Sequence, residues 1–481
     1  MFTLIRPILL INGLLLTTLG VAMFLPAIVD LMADNDDWQV FSAASLVTIL
    51  IGFGFYSGAR GTANDMSTRQ AFVMVSAAWL LLALFGAIPY MLSNVVDSFT
   101  DAMFESMSGI TTTGATVITN LNDAPPGILF WRGIQQWLGG LGIIVMAVAV
   151  LPMLQVGGMQ LFKIEAFDTA EKIMPRATQI SGSLTLTFVF ITAACTLAYL
   201  AAGMKIDDAV IHAMTTVATG GYSTKDASIG HFNSMGVEAV AIVFMILGSI
   251  PFILFVQAVR GETTALYKNS QVRVFITLLA FLILLAWWLN PNKENQLESF
   301  FHSALSVTSL VTGTGYTSTD YNAWGPASQI FFFLIMFIGG CAGSTSCGIK
   351  IFRFQILFST IHQNLKKIFQ PNGIFEVRYN GKRLASNVSV AVMNFIFLFV
   401  MIFIVIAIML NISGLDVITS LSAAGSALAN VGPGLGDVIG PKGTYQSLND
   451  ASKWILIFAM LIGRLELLTV LVLFTPQFWR A

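Results

Sequence analysis

Charged residues are scarce in this chain. They account for 10 % of its 481 residues, whereas soluble domains carry about 25 %. Apolar residues reach 56 %, the mean hydropathy is +0.79, and the apolar residues fall in repeated runs of about 20. These values exclude a soluble domain and predict a chain that lies in a lipid bilayer. The sequence also lacks a basic patch with interleaved aromatic residues, which argues against binding of nucleic acid.

The chain has few residues of the kinds that bind metals or carry out catalysis. Its three cysteines, Cys195, Cys341 and Cys347, form no C-x-x-C pair, and its four histidines form no H-E-x-x-H motif. The tetrapeptide GLGD at Gly434–Asp437 is similar to the G-x-G-D motif of intramembrane aspartyl proteases. Such a protease needs a second aspartate inside another span, and the predicted spans contain none. We therefore expect no enzymatic activity and no cofactor in this chain.

Long apolar runs bounded by charge, glycine or proline predict about ten full spans. The first two runs, near Ile8–Val29 and Val40–Gly58, predict an N-terminal helix pair. The first run is too long for the core of a signal peptide, and no small-residue cleavage site follows it. After the pair, one pattern occurs four times: a long span, a short half-apolar segment, a glycine-containing turn and a second long span.

The four copies of this pattern predict four units that follow the helix pair. Their segments are Phe72–Leu92, Phe99–Thr113 and Ile128–Leu154; Leu184–Ala202, Asp207–Thr219 and Val237–Val259; Phe275–Leu289, Leu297–Thr312 and Ile330–Phe352; and Val388–Asn411, Leu415–Asn430 and Trp454–Phe474. The predicted boundaries are 1–65 for the helix pair, 66–178, 179–268, 269–358 and 387–481 for the units, and 359–386 for a polar cytoplasmic linker. The linker is long enough to dock a soluble partner or anionic lipid headgroups, and a merely solvated linker is an equally good interpretation.

The middle segment of each unit is too short to cross the membrane. A helix of about 12–15 residues is about 20 Å long, against a hydrocarbon core of about 30 Å. Such a segment is re-entrant, and irregular backbone at that depth must be buried in protein or line an aqueous cavity. Acidic residues, which suit a helix N-terminus, lie near the start of three segments: Asp97 and Asp101, Asp207 and Asp208, and Asp416. The partly negative C-terminal ends then point inward, toward a site that favours cations.

Each short segment ends in a turn rich in glycine and threonine. The turns read ITTTGAT (Ile110–Thr116), ATGGYST (Ala218–Thr224), GTGYTST (Gly313–Thr319) and ANVGPGLG (Ala429–Gly436). Their glycines Gly114, Gly221, Gly315 and Gly432 are spaced 107, 94 and 117 residues apart. One such turn is more typical of close helix packing, but four in equivalent positions are not.

A cation that enters a filter must exchange its hydration shell for carbonyl oxygens. Glycine provides, at the least steric cost, the backbone angles that aim successive carbonyls at one axis. The four turns therefore predict a single filter. Besides the four glycines, its candidate ligands are Thr112, Thr113, Thr219, Gly220, Gly313, Thr314, Asn430 and Val431.

Two further features lie in the second long spans of the third and fourth units. The segment GGCAGSTSCGIK at Gly339–Lys350 contains glycines that weaken a helix by roughly 1 kcal/mol each relative to alanine. The segment therefore predicts a broken helix or, alternatively, close packing of small residues.

Arg464 lies well inside the last span, where an arginine costs at least about 2.5–3.5 kcal/mol unless it is partnered or hydrated. We expect Arg464 to face the pore or the broken helix, or to form an ion pair with Glu466 of a neighbouring unit.

Basic residues are distributed unequally between the two predicted sides. One side carries Arg6, Arg60, Arg69, Lys163, Lys172, Arg176, Arg260, Lys268, Arg273, Lys350, Arg353, Lys366, Lys367, Arg378, Lys382, Arg383 and Arg480, and the other Arg132, Lys205, Lys225, Lys293, Lys442 and Lys453. By the positive-inside rule the first side is cytoplasmic, so both termini are cytoplasmic and the turns face outward. We expect the acidic residues on the outer side to form a vestibule that concentrates cations, with ordinary polar loops as the alternative: Asp34, Asp36, Asp37, Asp97, Asp101 and Asp123.

These motifs resemble those of the Trk/Ktr/HKT potassium-transporter superfamily, and most closely its bacterial TrkH/TrkG branch. The resemblance extends over essentially the whole chain. It implies an all-α polytopic membrane protein with four helix–pore-helix–helix units around a central pore, in addition to the N-terminal helix pair, and K⁺ at the filter residues. It rests on TTTGAT (Thr111–Thr116), GGYST (Gly220–Thr224), GGCAGST (Gly339–Thr345), NVGPGLG (Asn430–Gly436) and GRLE (Gly463–Glu466).

The resemblance also implies a gate and partners. The gate would be an intramembrane loop below the filter together with Arg464, whose charge would raise the barrier to cations until the loop moves. Ser346 and Cys347 depart from the family's glycine-rich pattern, which predicts a stiffer loop. The implied partners are a second copy of the chain in a homodimer and a cytoplasmic TrkA-like regulatory subunit that binds a nucleotide (ATP/ADP or NAD). The gate residues of the loop are Gly339, Gly340, Gly343, Ser344, Thr345, Ser346 and Gly348.

The expected function is K⁺ uptake across the bacterial inner membrane through a channel-like pore, and a cation symporter coupled to Na⁺ or H⁺ is the alternative. Inverted-repeat transporters have broken helices in units of opposite topology. Here every predicted unit runs in the same direction, with its glycine turn on the same side. Each turn holds one filter glycine rather than the longer signature of tetrameric K⁺ channels, so we expect a less sharp discrimination between K⁺ and Na⁺.

Overall fold

The computed structural model describes residues 2–61, 66–149, 177–292 and 294–480. The predictions about Lys163, Lys172, Arg176 and Lys293, and about the end of the span Ile128–Leu154, concern positions outside the described residues. Nearly all regular structure within the described ranges is helical, with one small antiparallel hairpin of two short strands.

An N-terminal helix pair packs against the first unit. Helices α1 (Phe2–Met32) and α2 (Trp38–Gly58) approach closely along small residues, since a Cβ on Gly13 would lie 2.6 Å from the carbonyl oxygen of Gly52. The buried Asp30 of α1 accepts a hydrogen bond of 2.7 Å from the amide of Gly127. This bond joins the pair to the first turn of a pore-unit helix, where a carboxylate is favoured.

The first two units repeat the same order of elements. Unit one contains α3 (Thr68–Gly86), a short helix (Ile88–Leu92), the pore helix α4 (Phe99–Ile110), a 3₁₀ turn (Leu121–Asp123) and α5 (Pro126–Ala149). Unit two contains α6 (Ala177–Ala201), the pore helix α7 (Ile206–Val217), a 3₁₀ turn (Ser228–Phe232), α8 (Met235–Gly248), α9 (Phe252–Val259) and a short helix (Ala265–Lys268).

The third and fourth units follow the same order and are joined through the hairpin. Unit three contains α10 (Ser270–Leu289), the pore helix α11 (Gln296–Thr312), a 3₁₀ turn (Tyr321–Trp324), α12 (Pro326–Ile335) and α13 (Ile351–Phe369), followed by β1 (Arg378–Tyr379) and β2 (Lys382–Arg383). Unit four contains α14 (Ser386–Ile412), the pore helix α15 (Val417–Ala429), a short helix (Gly436–Ile439), α16 (Asp450–Arg464), α17 (Leu468–Leu471), a 3₁₀ turn (Val472–Phe474) and a last helix (Pro476–Arg480). Helix α13 runs across the predicted boundary at 358/359, so the first part of the predicted linker is helical.

Three of the four pore helices begin at side-chain caps, which satisfy free amide groups of the first turn. Ser98, Asn295 and Asp416 cap α4, α11 and α15. Helix α7 has no side-chain cap at Lys205, and its first turn instead carries Asp207 and Asp208. Most residues of the four helices are buried, so these short segments lie inside the bundle.

Within the described residues, six helices are long and apolar enough to cross a membrane, and two bent helix pairs raise this number to eight. The prediction of continuous second spans in units two and four is wrong. The predicted span Val237–Val259 bends by 91° between α8 and α9, and the predicted span Trp454–Phe474 bends by 108° after Arg464. Pro251 explains the first break because it has no amide hydrogen and restricts the residue before it. At the second break, Glu466 and Leu467 adopt positive φ angles of 60° and 43°.

Candidate functional site

The four glycine turns meet and form a closed ring. A Cβ on each glycine would collide with a carbonyl oxygen of the next turn along the chain, and the fourth glycine faces the first turn. Only glycine fits at these positions without displacing backbone. The distances from the added Cβ are 2.3 Å for Gly114 to Gly220 O, 1.8 Å for Gly221 to Thr314 O, 2.1 Å for Gly315 to Val431 O and 2.7 Å for Gly432 to Thr113 O.

The backbone of the turns repeats one conformation. Each of the four ring glycines has a positive φ, between 78° and 105°. The residue two positions earlier also has a positive φ in every turn: 54° at Thr112, 49° at Thr219, 72° at Gly313 and 52° at Asn430. A β-branched residue in this region is an outlier, and such strain persists only where the surroundings enforce it. The residue type does not predict this conformation at Thr112 and Thr219.

Each turn is tied to its own pore helix by the same hydrogen bond. The amide of the residue before the ring glycine donates to the carbonyl five residues earlier, near the end of the helix. The four bonds are Thr113 N to Ser108 O at 2.9 Å, Gly220 N to Thr215 O at 2.8 Å, Thr314 N to Ser309 O at 2.8 Å and Val431 N to Ser426 O at 2.9 Å. The bonds fix the turns relative to the helices, whose partly negative ends lie beside the ring.

The side chains that brace the turns differ from unit to unit. Hydroxyl pairs link Thr111 to Thr113 at 2.8 Å and Thr312 to Thr314 at 2.7 Å. In the fourth turn, the Asn430 amide donates to the Thr113 hydroxyl and to the carbonyl of Met460, both at 2.9 Å. The ring is therefore pseudo-symmetric: its backbone is repeated and its braces are not.

A small cavity of about 70 Å³ lies against the ring, with room for a few water molecules. Its lining contains two basic side chains, Arg132 and Lys225, and one acidic side chain, Asp226. The Asp226 carboxylate already accepts hydrogen bonds from the Leu121 amide at 3.0 Å and the Asn122 side chain at 2.9 Å. The acidic residues expected to form an outer vestibule do not line this cavity, and the vestibule stays a prediction. None of the six aspartates assigned to a vestibule lines the cavity, and one of them, Asp101, is paired at 2.6 Å with Lys453.

The segment Gly339–Lys350 is a loop inside the bundle, between α12 and α13. It contacts the break in unit two: Cys341 N donates to Ser249 O at 3.0 Å, Thr345 N to Gly248 O at 3.2 Å, and Phe252 N to Gly343 O at 3.0 Å. The loop and the interrupted helix thus supply hydrogen-bond partners for one another, as backbone at membrane depth requires.

The loop is also closed on itself and lies next to the second glycine turn. A parallel bridge joins Ile338 to Ile349, and the Gly340 amide donates to the Ser346 hydroxyl at 2.8 Å. The Thr345 hydroxyl donates to Val217 O at 3.0 Å and accepts from the Thr219 hydroxyl at 3.2 Å. Gly343 and Gly348 have positive φ angles of 79° and 72°.

Arg464 lies against the loop and is buried. One terminal nitrogen donates to Thr345 O at 3.3 Å and lies 2.5 Å from Cys347 Sγ, and the other donates to Gly139 O at 3.0 Å. The alternative of an ion pair with Glu466 is wrong, because the Glu466 carboxylate pairs with Arg353 of α13. Arg464 thus connects three units through neutral partners.

Within the described residues, no group of three or more His, Cys, Asp or Glu side chains is arranged to hold a metal ion. The oxygen atoms gathered at the ring are backbone carbonyls, which suit a weakly held monovalent cation.

The family model for cation transport protein TrkH matches residues 38–480. This chain belongs to the TrkH family. The Trk system potassium uptake protein TrkI of Halomonas elongata is 40 % identical over 476 residues, which are 98 % of this chain and 97 % of that protein. The protein TrkH of Escherichia coli, also named a Trk system potassium uptake protein, is 36 % identical over 99 % of both chains. The crystal structure of the potassium transporter TrkH from Vibrio parahaemolyticus superposes with a TM-score of 0.91 at 34 % identity, over 99 % of both chains.

The expected superfamily and fold class are thereby confirmed. This TrkH-family chain is an all-α polytopic membrane protein with an N-terminal helix pair and four units that each carry a pore helix.

Proposed function

We propose that the chain takes up K⁺ across the bacterial inner membrane through a channel-like pore. The ring closed by Gly114, Gly221, Gly315 and Gly432 carries this proposal, because each glycine faces the carbonyl oxygen of the next turn. The names of the relatives, Trk system potassium uptake proteins, support K⁺ as the transported ion. The absence of a catalytic motif in the sequence agrees with transport rather than enzymatic activity.

The filter is assigned to the carbonyls of the turns. The proposed ligands exchange the hydration shell of K⁺ for fixed dipoles and add no full charge, so that binding stays weak enough for release. The pore-helix ends add a partly negative potential beside the ring. The proposed K⁺-binding residues are Thr112, Thr113, Gly114, Thr219, Gly220, Gly221, Gly313, Thr314, Gly315, Asn430, Val431 and Gly432.

The gate is assigned to the loop and Arg464. The guanidinium places a positive charge beside the loop, and its hydrogen bonds to Thr345 and Gly139 hold the loop to two other units. Movement of the loop away from the axis would open the path and break the hydrogen bond between Thr345 and Arg464. The proposed gate residues are Gly339, Gly340, Gly343, Ser344, Thr345, Ser346, Gly348 and Arg464.

The proposal extends to orientation, unit boundaries and partners. The termini are cytoplasmic, by the excess of basic residues on that side, and the predicted boundaries of the four units apply, except that α13 extends the third unit beyond residue 358. The chain forms a homodimer and is regulated by a TrkA-like cytoplasmic subunit that binds ATP/ADP or NAD. The basic segment around Lys366, Lys367 and the β1–β2 hairpin supports a cytoplasmic contact.

Flux through the purified full-length chain in liposomes tests this function. A K⁺ gradient should drive ⁸⁶Rb⁺ uptake, with K⁺ competing better than Na⁺, and uptake should persist when no Na⁺ or pH gradient is imposed. A strict requirement for either gradient would favour the symporter instead.

A matched pair of variants links that flux to the ring. Gly432→Ala and Gly414→Ala both add a Cβ at a φ of 105°, but only at Gly432 does the Cβ meet a carbonyl oxygen. Loss of flux in the first variant alone is expected, and equal flux in both would contradict the filter assignment.

A further inference from the structure

Two buried polar residues of α5 hold the backbone of the second glycine turn. Arg132 and Gln136 are one helical turn apart and lie on the same face of α5. Both are almost fully buried, with exposed fractions of 1 % and 0 %. They belong to unit one, whereas the turn they contact belongs to unit two.

The Gln136 side chain uses both ends of its amide. Its nitrogen donates to the carbonyl oxygen of Gly220 at 2.6 Å, and its oxygen accepts from the amide of Tyr222 at 3.0 Å. A Cβ on Gly220 would lie 2.4 Å from the Gln136 side-chain carbon, so the contact depends on glycine there. The Gln136 side chain thus hydrogen-bonds to the turn backbone on both sides of Gly221. One of the two partners, the carbonyl of Gly220, is a proposed filter ligand.

Arg132 secures the outer end of the same turn. One terminal nitrogen donates to Ser223 O at 2.7 Å, and its Nε pairs with the Glu105 carboxylate of the pore helix α4 at 2.8 Å. The guanidinium lies 4.0 Å from the centre of the Tyr222 ring, and the Tyr222 hydroxyl donates back to Glu105 O at 2.8 Å. The ion pair is buried with its hydrogen bonds formed, which is the condition under which such a pair is tolerated.

The bond to Gly220 bears directly on ion choice. A Na⁺ ion is smaller than K⁺ and needs its oxygen ligands closer to the axis, and discrimination depends on how freely the carbonyls can move inward. A carbonyl held by an amide donor resists that movement. Resting on the proposed function, we propose that Gln136, supported by Arg132, is a specificity-determining positioning residue that holds the Gly220 carbonyl away from Na⁺.

Gln136→Met tests the proposal, because methionine keeps the volume and removes both hydrogen bonds. The matched control is Gln135→Met: Gln135 is adjacent and equally buried, but it bonds to Tyr90 at 2.6 Å and Ser106 at 2.9 Å rather than to a glycine turn. Full-length variants in liposomes are assayed for ⁸⁶Rb⁺ uptake, with the apparent KM and Vmax measured for K⁺ and Na⁺ separately.

In Gln136→Met we expect the K⁺/Na⁺ discrimination to fall by about 3- to 10-fold, the equivalent of one hydrogen bond. The change should appear in the apparent KM values for the two ions. Gln135→Met should discriminate as the wild type does. Gln136→Glu, which keeps the acceptor for Tyr222 but loses the donor to Gly220 when ionised, should resemble Gln136→Met.

Three outcomes would overturn the proposal. The first is an unchanged K⁺/Na⁺ discrimination in Gln136→Met, and the second is an equal loss of discrimination in Gln135→Met. The third is that neither Gln136 variant can be recovered folded while Gln135→Met can, because Gln136 would then be a purely structural residue. A wild-type chain that carries no K⁺ in the same assay would instead contradict the proposed function itself.

Discussion

The ring of glycine turns and the loop beneath it are held together in opposite ways. In the ring, each turn is bonded to the end of its own pore helix by the same backbone bond, repeated four times. The loop is bonded mainly to other units, through Gly248, Ser249 and Arg464. A turn bonded to its own pore helix keeps its conformation when units shift against each other, whereas a loop held by bonds between units must respond to such a shift.

Charged side chains also cluster around the loop. Lys350, Arg353, Arg464 and Glu466 cluster around the loop, with Glu466 paired to Arg353 and Lys350 bonded to the carbonyl of Ser346. Buried charges are costly to separate from their partners. If the loop moves, these contacts must therefore break and be replaced at the same time. This favours two discrete arrangements of the loop over a continuous range.

The largest expected effect breaks the ring. In Gly221→Ala the Cβ would lie 1.8 Å from Thr314 O, so the second and third turns must separate. We expect ⁸⁶Rb⁺ flux in liposomes to fall by at least about 1,000-fold, equivalent to about 4 kcal/mol. The control Gly381→Ala shares the φ of 78° but has open space around its Cβ. Comparable loss in both variants would mean that backbone strain, not ring contact, is responsible.

The next effect concerns stability around the loop. Glu466→Gln removes the carboxylate that neutralises the buried Arg353, and we expect the free energy of unfolding in detergent to fall by about 3 kcal/mol. In the double variant Arg353→Met, Glu466→Leu, most of that loss should be recovered, because the buried guanidinium and the carboxylate that pairs with it are removed together. A double variant less stable than Glu466→Gln would argue against this electrostatic explanation.

A moderate effect is expected where the loop meets Arg464. Arg464→Ala removes the positive charge and the bonds to Thr345 and Gly139, so basal ⁸⁶Rb⁺ flux without any cytoplasmic partner should rise by about 10-fold, or about 1.4 kcal/mol of barrier. Arg464→Lys, which keeps the charge but not the forked geometry, should give a smaller rise. Lower or unaltered flux in Arg464→Ala would count against a barrier at this site.

The smallest effect lies at the outer end of a pore helix. The Asp416 carboxylate accepts a hydrogen bond of 3.1 Å from the Thr419 amide, and its bonds to Thr419 lower its pKa below 3.8. Asp416→Ala should reduce stability by about 1 kcal/mol at neutral pH, the typical value of a helix cap.

This last contribution has a defined pH dependence. Because the folded pKa is depressed, the stabilisation is complete above the unfolded pKa of 3.8 and is lost as the pH falls through the folded value. The thermal stabilities of wild type and Asp416→Ala should therefore converge below about pH 4. Asp416→Asn caps the helix without titrating, so a convergence in that variant too would point to another group.

Much of the architecture could be predicted from local patterns. The spacing of Gly114, Gly221, Gly315 and Gly432 and the short segments before them predict four pore helices, because length alone prevents those segments from spanning. The glycines of Gly339–Lys350 indicate a break in the third unit for the same kind of local reason.

The features that sequence reasoning missed depend on contacts between units. Leu465–Leu467 contains no glycine or proline, and its helix ends where Arg464 and Glu466 find separate partners in other units. Pro251 in the second unit does indicate a helix break. The apolar run around it is nevertheless long enough to predict a continuous span. Gln136 looks like an ordinary polar residue in a helix, and only the fold brings it to Gly220.

One polypeptide supplies all four quarters of the ring, and each quarter has its own braces. In an assembly of four identical subunits, any codon change in a turn appears four times at once. Here a single codon change alters one quarter and leaves three intact. The ion preference of such a protein can therefore change gradually during evolution, through single substitutions that each alter one quarter of the ring.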